Sequence, residues 1–117
     1  MNSPDAISHI VVLTTLPDEE QARSLVRRLV EERIVACGTV LGRVTSVYRW
    51  EGAIEEAAEV QVLLKTRRDL WERLEAAVRV AHPYDVPELL ALPVESGLGA
   101  YLEWVSAETA DQGGASG

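Results

Sequence analysis

The densest run of chemically capable side chains is His82-Pro83-Tyr84-Asp85-Val86-Pro87-Glu88. It sets an imidazole, a phenol and two carboxylates in one short connection. Two prolines restrict its backbone, which lowers the entropy lost when such a loop presents ligands. His82 is the histidine placed among other polar groups, and its ring titrates near neutrality and offers nitrogen to a metal. Glu88 offers oxygen. The plainer account is that His82 ends a helix, where a partly positive ring suits the dipole. One imidazole with scattered carboxylates matches no established metal-ligand spacing. Residue types alone therefore do not define a metal site.

A second group is Tyr48-Arg49-Trp50-Glu51-Gly52. On an extended strand Tyr48 and Trp50 share one face and Arg49 takes the other. Aromatics at a hairpin tip line a pocket or anchor an interface. Glu51, Glu55, Glu56 and Glu59 crowd the same hairpin. A hard-cation site would need several of their oxygens to converge. A solvated acidic edge that resists aggregation is the simpler expectation. Cys37, the single cysteine, follows Val35-Ala36 and reads as an inert small hydrophobe in a buried strand. His9 has no obvious partner. There is no G-x-S-x-G, no H-E-x-x-H, no Gly-rich phosphate loop and no Cys-His pair, so no enzyme is expected.

These residues need elements to position them. His9 to Thr15 is short, β-branched and apolar, the pattern of a strand buried on both faces. Pro17-Asp18-Glu19-Glu20 is a helix start. Ala22, Leu25, Val26, Leu29 and Val30 then mark an amphipathic stripe, and that helix is predicted to reach about Arg33. Ile34 to Trp50 reads as strand but far exceeds the usual length, and Gly38 or Gly42 gives a place for a bulge. Glu51-Gly52 is the hairpin turn, and the return strand runs from Ala57 to Thr66. A second helix opens at Arg68-Asp69 with Leu70, Leu74, Ala77, Val78 and Ala81 as its buried stripe, and Pro83 stops it. Glu88 to Val94 is a further strand, and Leu98 to Ala107 a short last helix. Residues 108–117 read as a disordered tail, which leaves one domain over residues 8–107.

The order strand, helix, strand, strand, helix, strand is that of a split βαβ, ferredoxin-like α+β fold, here with an extra C-terminal helix. Helices cover one sheet face. The other face is also apolar, and the last helix is too short to cover it, so a homo-oligomer is expected.

Composition sets the outer limits. The chain has 117 residues, 47% hydrophobic and 26% charged, which suits one globular domain with its own core. Eleven basic residues against nineteen acidic give a net charge of −8. Such a surface repels nucleic acid and anionic membranes, and the arginines are not interleaved with aromatics as a base-stacking platform requires. No apolar run approaches the ~18 residues of a membrane span. A single cysteine and an opening without a basic or apolar leader point to the cytoplasm.

Several segments together resemble the CutA family, the divalent cation tolerance proteins. They are Val11-Val12-Leu13-Thr14-Thr15-Leu16-Pro17-Asp18, Val35-Ala36-Cys37 and Ser46-Val47-Tyr48-Arg49-Trp50-Glu51-Gly52. Val60 to Thr66, the His82 to Glu88 loop and Tyr101-Leu102-Glu103-Trp104-Val105 complete the set. The resemblance spans about residues 8–107, in order. It implies a ferredoxin-like protomer in a homotrimer, with long hairpin strands pairing between subunits. It also implies a role in tolerance of divalent metals, copper especially, with no required cofactor and copper(II) or another divalent cation as ligand. Some bacterial members carry a cysteine where this chain has Thr14 and a further histidine where it has Ala81. What remains as the implied metal set is His82 with Glu88 or a neighbouring subunit's carboxylate. The alternative is a PII-like trimeric sensor, with Trp50, Tyr84 and Arg49 lining an intersubunit cleft for an effector.

Overall fold

The computed structural model describes residues 8–110. Strand β1 is His9–Leu16 and helix α1 Glu19–Glu31. Strands β2, Cys37–Trp50, and β3, Ala53–Arg67, form one long hairpin. A 3-10 turn, Arg68–Leu70, leads into helix α2, Trp71–Ala81; strand β4, Leu90–Pro93, and helix α3, Gly99–Glu108, close the domain. The sheet order is β2-β3-β1-β4, with every neighbouring pair antiparallel. This is the expected α+β ferredoxin-like arrangement with an added terminal helix.

Local chemistry accounts for the elements. Asp18 caps α1: its carboxylate accepts the Gln21 N–H at 2.8 Å, and Glu19 and Glu20 in the first turn favour the helix dipole. The helix stops at Glu31, two residues short of the expected end, because Arg33 turns left-handed at φ 60°. The Arg33 and Ile34 amides then satisfy the last carbonyls, Val30 and Leu29. Glu51 and Gly52 both have positive φ, 49° and 84°, as a two-residue hairpin loop demands. β3 starts at Ala53, four residues before the predicted Ala57, because that tight turn lets pairing begin immediately at Trp50↔Ala53.

Alternation along β1 and β3 sends Ile10, Val12, Leu16, Val60, Val62 and Leu64 into one core. Ala22, Leu25 and Leu29 of α1 and Leu74 and Val78 of α2 meet them there. Val30, assigned to the stripe by periodicity, is 38% exposed. Gly38 sits where β2 passes under α1: a Cβ there would lie 2.7 Å from Val26 Cγ1 and 2.9 Å from Leu64 Cδ2. The register slips between Val40 and Gly42, and Gly42 takes φ 112°. Beyond this bulge the hairpin projects as a bare ribbon, which stretches the protomer to 47 Å along one axis against 22 Å in thickness.

Further expectations change at the sheet edge and the C-terminal end. β1 was expected to be buried on both faces, yet Val11 and Leu13 are only partly covered. β4 is an edge strand whose Leu90 and Leu92 are 56% and 49% exposed, and it is shorter than Glu88 to Val94 because pairing with β1 ends at Leu13. The second sheet face is thus open in the protomer. α3 covers part of one end of it, through His9 Nε2 and Ser106 Oγ at 2.9 Å and through Cys37 Sγ and Tyr101 Oη at 3.6 Å. Of the segment expected as a tail, Glu108 closes α3 and the buried Thr109 hydroxyl donates to the Val105 carbonyl at 2.8 Å. Residues 111–117 lie outside the described residues.

Candidate functional site: a closed ring of four residues

α2 ends at Ala81 because Pro83 disfavours helix for the residue before it, and His82 swings to an extended φ/ψ of −77° and 138°. This places its imidazole over the end of β1, 7% exposed. The ring Nε2 lies 2.7 Å from the Thr15 carbonyl oxygen. A carbonyl only accepts, so Nε2 carries the proton. Nδ1 lies 3.1 Å from the Tyr84 amide nitrogen. An amide N–H only donates, so Nδ1 carries the lone pair. The two backbone partners together select one neutral tautomer.

From Tyr84 the network turns back to the sheet. Its phenol donates to Glu59 Oε2 at 3.0 Å, and the Thr15 hydroxyl donates to the same oxygen at 3.3 Å. Thr15, His82, Tyr84 and Glu59 therefore form a closed cycle that joins β1, α2, the following loop and β3. The His82 and Tyr84 rings pack at 4.9 Å between centroids. Gln61, next on the same face of β3, donates to the Thr14 carbonyl at 2.9 Å, which holds the strand end in place.

Charge follows geometry. Burial lowers the His82 pKa below the ordinary 6.5; the Thr15 hydrogen bond and the Glu59 charge oppose this without reversing it. Burial also pushes the Tyr84 phenol up to about 12, helped by its bond to Glu59 and by the charges of Glu59 and Tyr48. At neutral pH the cycle holds a neutral imidazole, a neutral phenol and the Glu59 carboxyl group.

The residues singled out from sequence fare unequally. His82 and Tyr84 are joined. Glu88 is exposed and takes no part in the cycle, and both His82 nitrogens are engaged. As placed, His82 and Glu88 do not fit a bound cation: an imidazole ligates through a free lone pair, and this one is occupied. Among the described residues no three His, Cys, Asp or Glu side chains converge to hold a metal. Trp50 and Arg49 sit at the ribbon tip, opposite Ala53 and Ile54. Six residues of strand separate Trp50 from Val44, the partner of Glu59, a distance of roughly 20 Å. One protomer therefore does not bring Trp50, Arg49 and Tyr84 together.

Glu59 and Thr15 escaped the sequence reading. Glu59 looked like one more member of the acidic edge, and Glu51, Glu55 and Glu56 are indeed exposed. The available signal was its position: it shares a β3 face with Gln61, opposite the buried Val60 and Val62. Cys37, expected buried, is half-exposed and contacts Tyr101. His9, expected without a partner, meets Ser106.

The sequence profile of the CutA1 divalent ion tolerance protein family matches residues 10–108. The divalent-cation tolerance protein CutA of Thermus thermophilus is 43% identical over 99 residues, which is 85% of this chain and 96% of the relative. Its namesake from Yersinia pestis (strain Pestoides F) is 44% identical over 110 residues, 92% of each chain. Among solved structures, the Thermus thermophilus divalent cation tolerance protein (Cut A1) aligns with a TM-score of 0.85 at 42% identity, covering 87% of this chain and 99% of that one. CutA1 from Oryza sativa aligns at 0.87 with 37% identity, covering 91% and 97%. The match runs through every strand of the sheet and both ends of the His82 loop, so the chain belongs to the CutA family of divalent ion tolerance proteins.

Proposed function

We propose that this protein acts in divalent-cation tolerance as a homotrimer, without an enzymatic reaction of its own, and takes copper(II) or a similar divalent cation weakly. The observation that carries the reading is the match of residues 10–108 to a family named for divalent ion tolerance. The trimer is supported by the open sheet face and the bare ribbon, whose Val47, Tyr48, Trp50 and Ile54 are all exposed in a single protomer. The PII-like sensor is not favoured: the relatives are CutA proteins, and its three cleft residues lie apart in the protomer. The cytoplasm is the proposed compartment, in keeping with a single cysteine that can form no internal disulfide.

The test is calorimetric titration of copper(II) and zinc(II) into the chelator-stripped protein, with sedimentation velocity on the same sample. Saturable binding by a species three times the protomer mass is expected. Unsaturable heats would sink the cation assignment, and a monomer at micromolar concentration would sink the trimer.

A further inference from the structure

Both nitrogens of His82 are committed to backbone groups, and one of these commitments holds only while the ring is neutral. Nε2–H donates to the Thr15 carbonyl at 2.7 Å, a bond that an imidazolium makes equally well. Nδ1 accepts from the Tyr84 N–H at 3.1 Å. A proton on Nδ1 sets one N–H against another, with no lone pair left to share. We propose that His82 is a proton-operated latch: protonation of Nδ1 expels the Tyr84 amide, opens the 83–88 loop and lifts the Tyr84 phenol off Glu59. The latch is a property of the chain alone and does not depend on cation binding.

The loop is free to move between two fixed ends. Among the described residues, no backbone–backbone hydrogen bond ties residues 83–88 to the rest of the molecule. Pro83 and Pro87 have no N–H to contribute, and Pro83, Asp85, Val86 and Glu88 are exposed. The hydrogen bonds that hold this loop to the body both belong to Tyr84: its amide to Nδ1 and its phenol to Glu59. At one end His82 stays anchored, by its own amide on the Val78 carbonyl at 2.8 Å and by Nε2 on Thr15. At the other end Leu89 packs against the core.

The groups around the ring set the direction of the switch. Glu59 of β3 is the charge that acts on it, and that carboxylate favours the imidazolium while burial opposes it. Thr15 of β1 presents a carbonyl and a hydroxyl, neither of which titrates. Arg79 of α2 is exposed, as are Asp85 and Glu88 of the loop. Tyr84 stays a neutral phenol throughout the imidazole range, and Tyr48 of β2 acts on Tyr84. Once the phenol leaves, Glu59 keeps one weak donor, Thr15, at 3.3 Å, and is left as the counter-charge of the imidazolium. The released amide and phenol pass to water.

The experiment follows hydrogen–deuterium exchange of the peptide spanning residues 83–89 in the chelator-stripped protein, from about pH 7.5 down to about pH 5. Each rate is divided by the unstructured-chain rate at the same pH, and a peptide from α1 serves as the internal reference. Protection of the loop in wild type is expected to fall by up to about tenfold per pH unit, one proton per opening, while α1 stays protected. His82→Asn offers Tyr84 an oxygen and Thr15 an N–H without titrating, so its loop protection is expected to stay level. Tyr84→Phe removes the phenol bond alone. It is expected to lose about fivefold in protection at every pH, the equivalent of one neutral hydrogen bond, and to keep the wild-type slope. A level wild-type profile overturns the latch. So does a slope in His82→Asn equal to that of wild type, or a joint fall of loop and α1, in which the whole fold opens rather than the loop.

Discussion

His82 donates through Nε2 to the carbonyl of Thr15 at 2.7 Å, a bond between residues 67 positions apart that ties the end of α2 to the end of β1. Because that carbonyl belongs to an inner strand, the ring is buried and held neutral. Burial depresses the folded-state pKa below 6.5, so below that value the unfolded chain binds more protons than the folded one. The stabilisation is complete above pH 6.5 and is lost as pH falls from there through the folded-state value. Guanidinium midpoints at fixed protein concentration should therefore fall faster between pH 7 and pH 5 for wild type than for His82→Asn, whose amide does not titrate. The difference should reach up to about 1.4 kcal/mol per pH unit. Parallel slopes for the two proteins would show that the imidazole is not buried neutral.

Tyr84 should ionise well above an ordinary phenol. Its pKa of about 12 reflects burial first and the Glu59 bond second, whereas Tyr101 is raised chiefly by its bond to Cys37. Ultraviolet titration of the folded protein should show a phenol ionising near pH 12 that Tyr84→Phe removes. The Tyr84→Phe substitution should also lower stability by about 1 kcal/mol, the loss of one half-exposed hydrogen bond.

Gly38→Ala should destabilise the protomer by about 1–3 kcal/mol, an overpacking effect. The added methyl meets Val26 and Leu64 inside 3 Å, and Leu64 is fully buried in the sheet. Thermal unfolding of the variant checks this. A midpoint equal to wild type would mean that Val26 and Leu64 yield to the added methyl without cost.

Ile54→Asp should weaken the assembly while sparing the protomer fold. Ile54 is 62% exposed in the single chain and faces Arg49 across the ribbon, far from the core residues. Sedimentation should show smaller species than wild type with the far-ultraviolet circular dichroism retained. An unchanged sedimentation coefficient would place the subunit contacts elsewhere than on this ribbon.

The sequence alone determined what depends on neighbours along the chain. Proline 17 with Asp18 starts α1, Pro83 ends α2, Glu51-Gly52 turns the hairpin, and period-two alternation assigns Val60, Val62 and Leu64 to one face. These are short-range consequences of backbone sterics and side-chain polarity, so they are legible without coordinates. The element order then leaves few sheet topologies to choose from, and the observed β2-β3-β1-β4 order is the expected one.

Tertiary structure decided what depends on distance across the sheet. Glu59 reads as one acid among four on the hairpin until register sets it beside Thr15 and the loop brings Tyr84 onto it. His82 reads as a free ligand until packing presents a carbonyl to one nitrogen and an amide to the other. Apolar β1 and β4 read as buried on both faces, yet one protomer has too few elements to cover both. Residue type states which bonds a side chain is able to make, and only the fold decides which of them are already made.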